Sequence, residues 1–131
     1  MARRRDEERQ QCAFIEWVRL QSHVWPALKT IHHVPNGEYR TPATAARLKR
    51  MGVLSGVLDI FWPCARQGYN GLYIEFKSAD GSLSEAQEDF AEAAAAEGYC
   101  VFICDNWEDA RDLVMAWVRN DPLPAVMLSR Q

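Results

Sequence analysis

Apolar and polar positions recur with two different periods along the chain, and each change of period marks a new element. Residues 5 to 22 place Phe14, Trp17, Val18 and Gln21 on one side at spacings of three and four, the period of an amphipathic helix. His32, Val34 and their neighbours predict a short strand ending at Pro35-Asn36-Gly37, whose Asn-Gly pair is a turn signal. Thr41-Pro42 opens a second helix, with Thr as cap and Pro in the first helical position, and Gly52 closes it. Residues 57 to 62 and 72 to 77 are rich in branched and aromatic side chains. Residues 64 to 70 between them carry Gly68 and Asn70, with Pro63 at the entrance, which predicts a hairpin with a long loop. Ser84 caps a third helix that runs through an Ala-rich stretch to Gly98. Tyr99 to Cys104 is continuously apolar, as a buried strand is, and Asp105 or Asn106 starts a last helix to about Arg119. This order predicts an α/β fold, a mixed β-sheet flanked by helices.

The hairpin carries the chemistry. Partners in an antiparallel pair are equidistant from the middle of the loop, and Asp59 and Glu75 both lie eight residues from Gln67. The simplest register therefore sets the two carboxylates across from each other, roughly 5 Å apart on one face. Alternation puts Glu75 and Lys77 on that face and Leu72, Ile74 and Phe76 on the other, so the charged side is expected to be a site and not a core. Facing carboxylates repel, and a divalent cation offsets the repulsion. Hard oxygen donors in small number suit Mg²⁺, which keeps several waters and leaves room for a phosphate. The plainer reading of an acid, acid, lysine trio on a hairpin is a solvated surface with a weak ion pair.

The chain has 131 residues, close to the usual size of one domain, with 48% hydrophobic and 25% charged residues, as an ordinary globular protein has. A single domain over residues 1–131 is expected, with 120–131, which holds Pro122 and Pro124, as a loose tail. No apolar run is long enough to span a membrane, and the start MARRRDEERQ has no apolar signal core behind it, so a cytoplasmic location is expected. Cys12, Cys64, Cys100 and Cys104 lack the spacing of a zinc site and are read as reduced, structural thiols. The net charge of −3 runs against a nucleic-acid partner. Arg40, Arg47, Lys49 and Arg50 nevertheless form an acid-free cationic stretch that a phosphate backbone could meet, or that is only the solvated end of a helix.

Three stretches together carry a family resemblance. Met51 to Asp59, a small-residue turn into an acid, Gly71 to Lys77, an ExK strand, and Gly81 to Gln87, a Gln on the next helix, resemble the VRR-NUC domain of the PD-(D/E)XK nuclease superfamily. Pro35-Asn36-Gly37 looks like that family's PNG turn, and Leu58 stands where the family often has Pro. The resemblance implies a restriction-endonuclease-like core and a stand-alone, phage-type nuclease acting in its host's cytoplasm. It implies Mg²⁺ or Mn²⁺ held by Asp59, Glu75 and the backbone carbonyl of Phe76, with Lys77 and Gln87 orienting the attacking water. A further carboxylate from the first helix is implied to complete the metal site, with Glu7 preferred and Glu8 close behind. Gln87 also stands three residues after Ser84 in the pattern of a capping box, a purely structural role. His32 and His33 read more simply as surface histidines than as bases. The tryptophans, five in number, read as core, or more sharply as a dimer surface. DNA is the implied partner, branched or four-way DNA in particular, cut by a homodimer. The rival readings are a non-catalytic DNA-structure-binding protein and a sequence-specific, restriction-type endonuclease.

Overall fold

The structure is a computed structural model that describes residues 2–35 and 41–124. Asn36 and Gly37 of the expected turn, Arg40 of the cationic stretch, and residues 125–131 of the expected tail lie outside the described residues. The elements are α1 (Ala2–Gln21), a 3-10 turn (Pro26–Thr30), β1 (His32–His33), α2 (Pro42–Arg50), β2 (Ile60–Trp62), β3 (Gly71–Phe76), α3 (Glu85–Ala96), β4 (Tyr99–Cys104) and α4 (Trp107–Arg119). The sheet order is β1-β2-β3-β4, antiparallel across the first two pairs and parallel between β3 and β4. The expected α/β architecture, a mixed sheet flanked by helices, is what forms.

The caps explain where the helices begin. Thr41 accepts the Thr44 N–H with Pro42 following, Ser84 and Gln87 bond reciprocally as a capping box, and Asn106 accepts the Asp109 N–H. Each satisfies an amide that the first helical turn leaves without a partner. The 3-10 turn was not among the expected elements. It buries Leu28 completely, and its Ala27 carbonyl accepts the Trp62 indole N–H at 2.9 Å.

One face of the sheet carries the main core. Ile60, Trp62, Leu72, Ile74, Phe76, Cys100, Phe102 and Cys104 meet Phe14 and Val18 of α1 and Leu113, Val114 and Trp117 of α4. Trp17, Trp25 and Trp107 pack partly buried against the same cluster, so all five tryptophans serve this core. Cys64, Cys100 and Cys104 are buried and in no disulfide, and burial pushes the last two up to about 12, which holds them as unreactive thiols.

The opposite face corrects one expectation. Tyr73, Glu75 and the residues beside them do not form a bare charged side, because α3 covers part of it with a second apolar cluster of Leu58, Ala91 and Val101, joined by Tyr73, Leu83, Phe90 and Ile103. The cause lies in β4, which is apolar at Val101 and Ile103 as well as at Phe102, so both of its faces need cover. Glu75 is drawn under that cover and is only 3% exposed.

The hairpin loop closes on its own small turn. Gln67 and Gly68 both have positive φ, 59° and 82°, and the Tyr69 N–H donates to the Arg66 carbonyl at 2.8 Å. The Gln67 amide then donates to the carbonyls of Ala116 and Asp121 at 3.2 and 3.0 Å, satisfying acceptors at the end of α4. Leu123 also packs against the main core.

Candidate active site

The register expected from the loop midpoint is the one that forms. Ile60 pairs with Ile74, Phe61 with Tyr73 and Trp62 with Leu72, which continues to Asp59 opposite Glu75. The regular ladder stops at Ile60, short of the expected residue 57, because side chains take over its bonds. The Asp59 N–H donates to Glu75 Oε1 at 2.8 Å, and the Phe76 N–H donates to Asp59 Oδ2 at 3.3 Å. Each carboxylate is thus held by the backbone of the strand opposite, and neither can swing away without losing a charge-assisted bond.

Further groups converge on the pair from distant parts of the chain. Gln87 donates to Glu75 Oε2 at 2.9 Å while its Oε1 accepts the Ser84 N–H at 3.0 Å. The capping role and the site contact are therefore both present, since the two ends of one amide serve them separately. Lys77 Nζ lies 3.6 Å from the same Glu75 oxygen, an ion pair too long for a good hydrogen bond. Glu7 reaches from α1 to accept the Ser78 N–H at 2.9 Å, and its charge acts on Asp59. Glu8 is exposed.

His33 joins this group, although its sequence context suggested only a surface residue. Its Nδ1 lies 2.8 Å from the Asp59 carbonyl oxygen, which also accepts the Val34 N–H at 2.8 Å. A carbonyl only accepts, so Nδ1 carries the proton in this contact. The signal in the sequence was its place two residues before Pro35, at the end of the strand beside β2, which alone does not reveal that the ring faces Asp59.

Gly56 sets the approach of the segment before Asp59. Its φ is +88°, and a Cβ there would come within 2.4 Å of the Ala86 carbonyl oxygen, so a side chain would push Asp59 and Gln87 apart. Leu58, in the position where Pro was the family expectation, is fully buried in the second core. The cations of α2 stand apart. No residue of that helix is buried, and Arg47, Lys49 and Arg50 form no ion pair among the described residues, Arg47 touching only the Met51 sulfur at 3.6 Å.

Electrostatically the pair is under tension. Burial and then the neighbouring Asp59 charge push Glu75 up to about 7, against the opposing pull of the Asp59 N–H, Lys77 and Gln87. Asp59 is also raised, chiefly by burial, with the Phe76 N–H, His33 and Lys77 working the other way. Such a donor set fits a hard divalent cation, which would relieve the repulsion directly. Among the described residues no three of His, Cys, Asp and Glu converge as a ready-made metal cluster. An ion at this place would take few protein ligands, as Mg²⁺ does.

Residues 3–107 match the model of the VRR-NUC domain. The chain belongs to the VRR-NUC family. A solved structure described as a VRR_NUC domain protein is similar over 93% of this chain and 95% of its own, at 27% identity and a TM-score of 0.72. No curated protein matches. A VRR-NUC domain is a nuclease-type, DNA-processing domain, and families of this type generally work with divalent metals. The restriction-endonuclease-like core expected from the resemblance is the VRR-NUC fold observed. Among the described residues no helix is long and apolar enough to cross a membrane.

Proposed function

We propose that this VRR-NUC protein is a Mg²⁺- or Mn²⁺-dependent endodeoxyribonuclease that hydrolyses phosphodiester bonds in branched DNA, four-way junctions in particular. The reading is carried by one observation. Asp59 and Glu75 are locked face to face by reciprocal backbone bonds, with Lys77 and Gln87 both on Glu75. A merely solvated hairpin surface would not bury a carboxylate to 3% exposure beside another acid.

Asp59 and Glu75 would hold the ion, with the Phe76 carbonyl beside them and Glu7 available for a second. When bound, the ion supplies charge opposite the phosphate and an acidified water. The chain's own groups do the rest. Gln87 fixes the rotamer of Glu75, and the Lys77 ammonium sits where it can orient the attacking water and face the charge that builds on phosphorus. Water oxygen bonds to phosphorus, one P–O ester bond breaks, and the departing oxygen takes a proton, leaving a phosphomonoester and a hydroxyl. Arg40, Arg47, Lys49 and Arg50 are assigned to the DNA backbone. A homodimer would present two such sites to two strands of a junction.

The test is cleavage of linear duplex, flap, splayed and four-way DNA with Mg²⁺, Mn²⁺ or chelator. Metal-dependent cutting of the branched forms, abolished in Asp59→Asn and in Lys77→Ala, is the expected result. Persistent gel shifts without cleavage under every metal would instead support a DNA-structure-binding protein. Cutting of linear duplex at one motif would support a restriction-type enzyme.

A further inference from the structure

Phe61, Tyr73 and Tyr99 form a continuous aromatic surface on the same face of the sheet as Asp59 and Glu75. Phe61 and Tyr73 are direct ladder partners and stack with ring centroids 4.6 Å apart and planes 29° from parallel. Tyr99 joins from β4, 6.0 Å from Phe61 and 5.8 Å from Tyr73. It comes close over Gly71, where a Cβ would stand 3.1 Å from the Tyr99 ring. His32 meets Phe61 edge-on at 5.8 Å and carries the row to the edge strand β1.

Cross-strand aromatic pairs often do no more than strengthen a sheet. Here the rings are left half open. Among the described residues Phe61 and Tyr99 belong to neither apolar cluster, and only Tyr73 is anchored from above, by Phe90 of α3 at 5.2 Å. No hydrogen bond joins the Tyr73 or Tyr99 hydroxyl to a described residue; both side chains are half-buried, and burial pushes the Tyr73 phenol up. Residues two apart on a strand stand about 7 Å apart. Phe61 and Tyr73 are therefore one row from Asp59 and Glu75, within reach of the base next to a phosphate at that pair.

In an intact duplex the face of a base is covered by its neighbours. An unpaired or splayed nucleotide offers that face, and aromatic side chains on a sheet are a common platform for it. We propose that the Phe61–Tyr73–Tyr99 surface stacks an unpaired base of the nucleotide flanking the scissile phosphate, so that a single-stranded or splayed segment is the substrate feature recognised. This rests on the nuclease reading for the identity of the neighbouring site.

Binding in chelator, where cleavage plays no part, separates the two. Fluorescence anisotropy with a labelled oligothymidylate and with a blunt duplex of equal length is measured for the wild type, Phe61→Leu and Phe61→Trp. Phe61→Leu is expected to lose roughly tenfold in affinity for the single strand, the effect of one stacked base. Its duplex affinity should be unchanged, and Phe61→Trp, which keeps a ring, should bind the single strand as the wild type does. Should Phe61→Leu fail to fold, Tyr99→Leu at the far end of the surface is expected to give the same selective loss. Unchanged single-strand affinity in the folded Leu variants overturns the proposal, as does an equal loss on both DNAs. Ring-dependent binding in a protein that cuts nothing would sink metal-dependent hydrolysis and leave the stacking surface standing.

Discussion

The two faces of the sheet are built from the same strands by opposite rules. Under α1 and α4 every inward side chain of β2, β3 and β4 is apolar and buried, and the two buried indoles, Trp62 and Trp117, each find a carbonyl for the N–H. Under α3 the cover is partial, an acid is buried beside another acid, and an aromatic row is left half open. The first face supplies stability and the second gives some of it up. Sites that hold charges in tension are less stable than the packing around them allows.

The largest effects should separate the faces cleanly. On the α3 face, Asp59→Asn is expected to lower metal-dependent cleavage by roughly a thousandfold or more. Removing its charge relieves Glu75, so the same variant should melt about 3 °C higher near neutral pH. Loss of activity together with a lower melting temperature would contradict the tension described here. On the other face, Phe102→Ala opens a cavity in the closed core and should cost about 3 to 5 kcal/mol in denaturant unfolding. A cost under about 1 kcal/mol would mean that the core is far looser than its burial implies.

A smaller effect is expected at the boundary between helix and site. Gly56→Ala meets the Ala86 backbone at a positive φ and should destabilise by about 2 kcal/mol. Cleavage should fall further than stability alone explains, because Asp59 and Gln87 are forced apart, and this is read as kcat at a temperature where the variant is folded.

The pH dependence probes the facing acids, Glu75 above all. Glu75 binds its proton more tightly when folded, so its contribution favours folding most below the ordinary carboxylate range and declines as pH rises to about 7. The decline should be on the order of 3 kcal/mol. Added Mg²⁺ or Mn²⁺ should restore stability at about pH 8 and do little at about pH 5, as seen by thermal melts, since only the ionised pair attracts the cation. A metal effect of equal size at both pH values would argue against binding at this pair. The smallest change is expected for Gln87→Ala, about 1 kcal/mol from the lost side-chain half of the capping box, with Glu75 Oε2 left without its amide donor and cleavage reduced more than binding.

Much of this was legible in the sequence because it is local. Gln67 at the loop centre set the register, alternation set the face, and Ser84 with Gln87 marked a helix start. The aromatic surface was open to the same reasoning, since Phe61 shares the parity of Asp59 and Tyr73 that of Glu75. His33 was harder, because its bond to Asp59 joins residues twenty-six apart through a two-residue strand.

The amino-acid order alone determined the order of the α-helices and strands, the caps, and Asp59 facing Glu75, because each depends on spacing along a few neighbouring residues. Only tertiary packing decided that Glu75 lies buried, that Gln87 serves both cap and carboxylate, and that Glu7 reaches Ser78 across the molecule. Burial and the charge shifts that follow from it depend on which helix covers which face, and that is set by contacts between residues far apart in the chain.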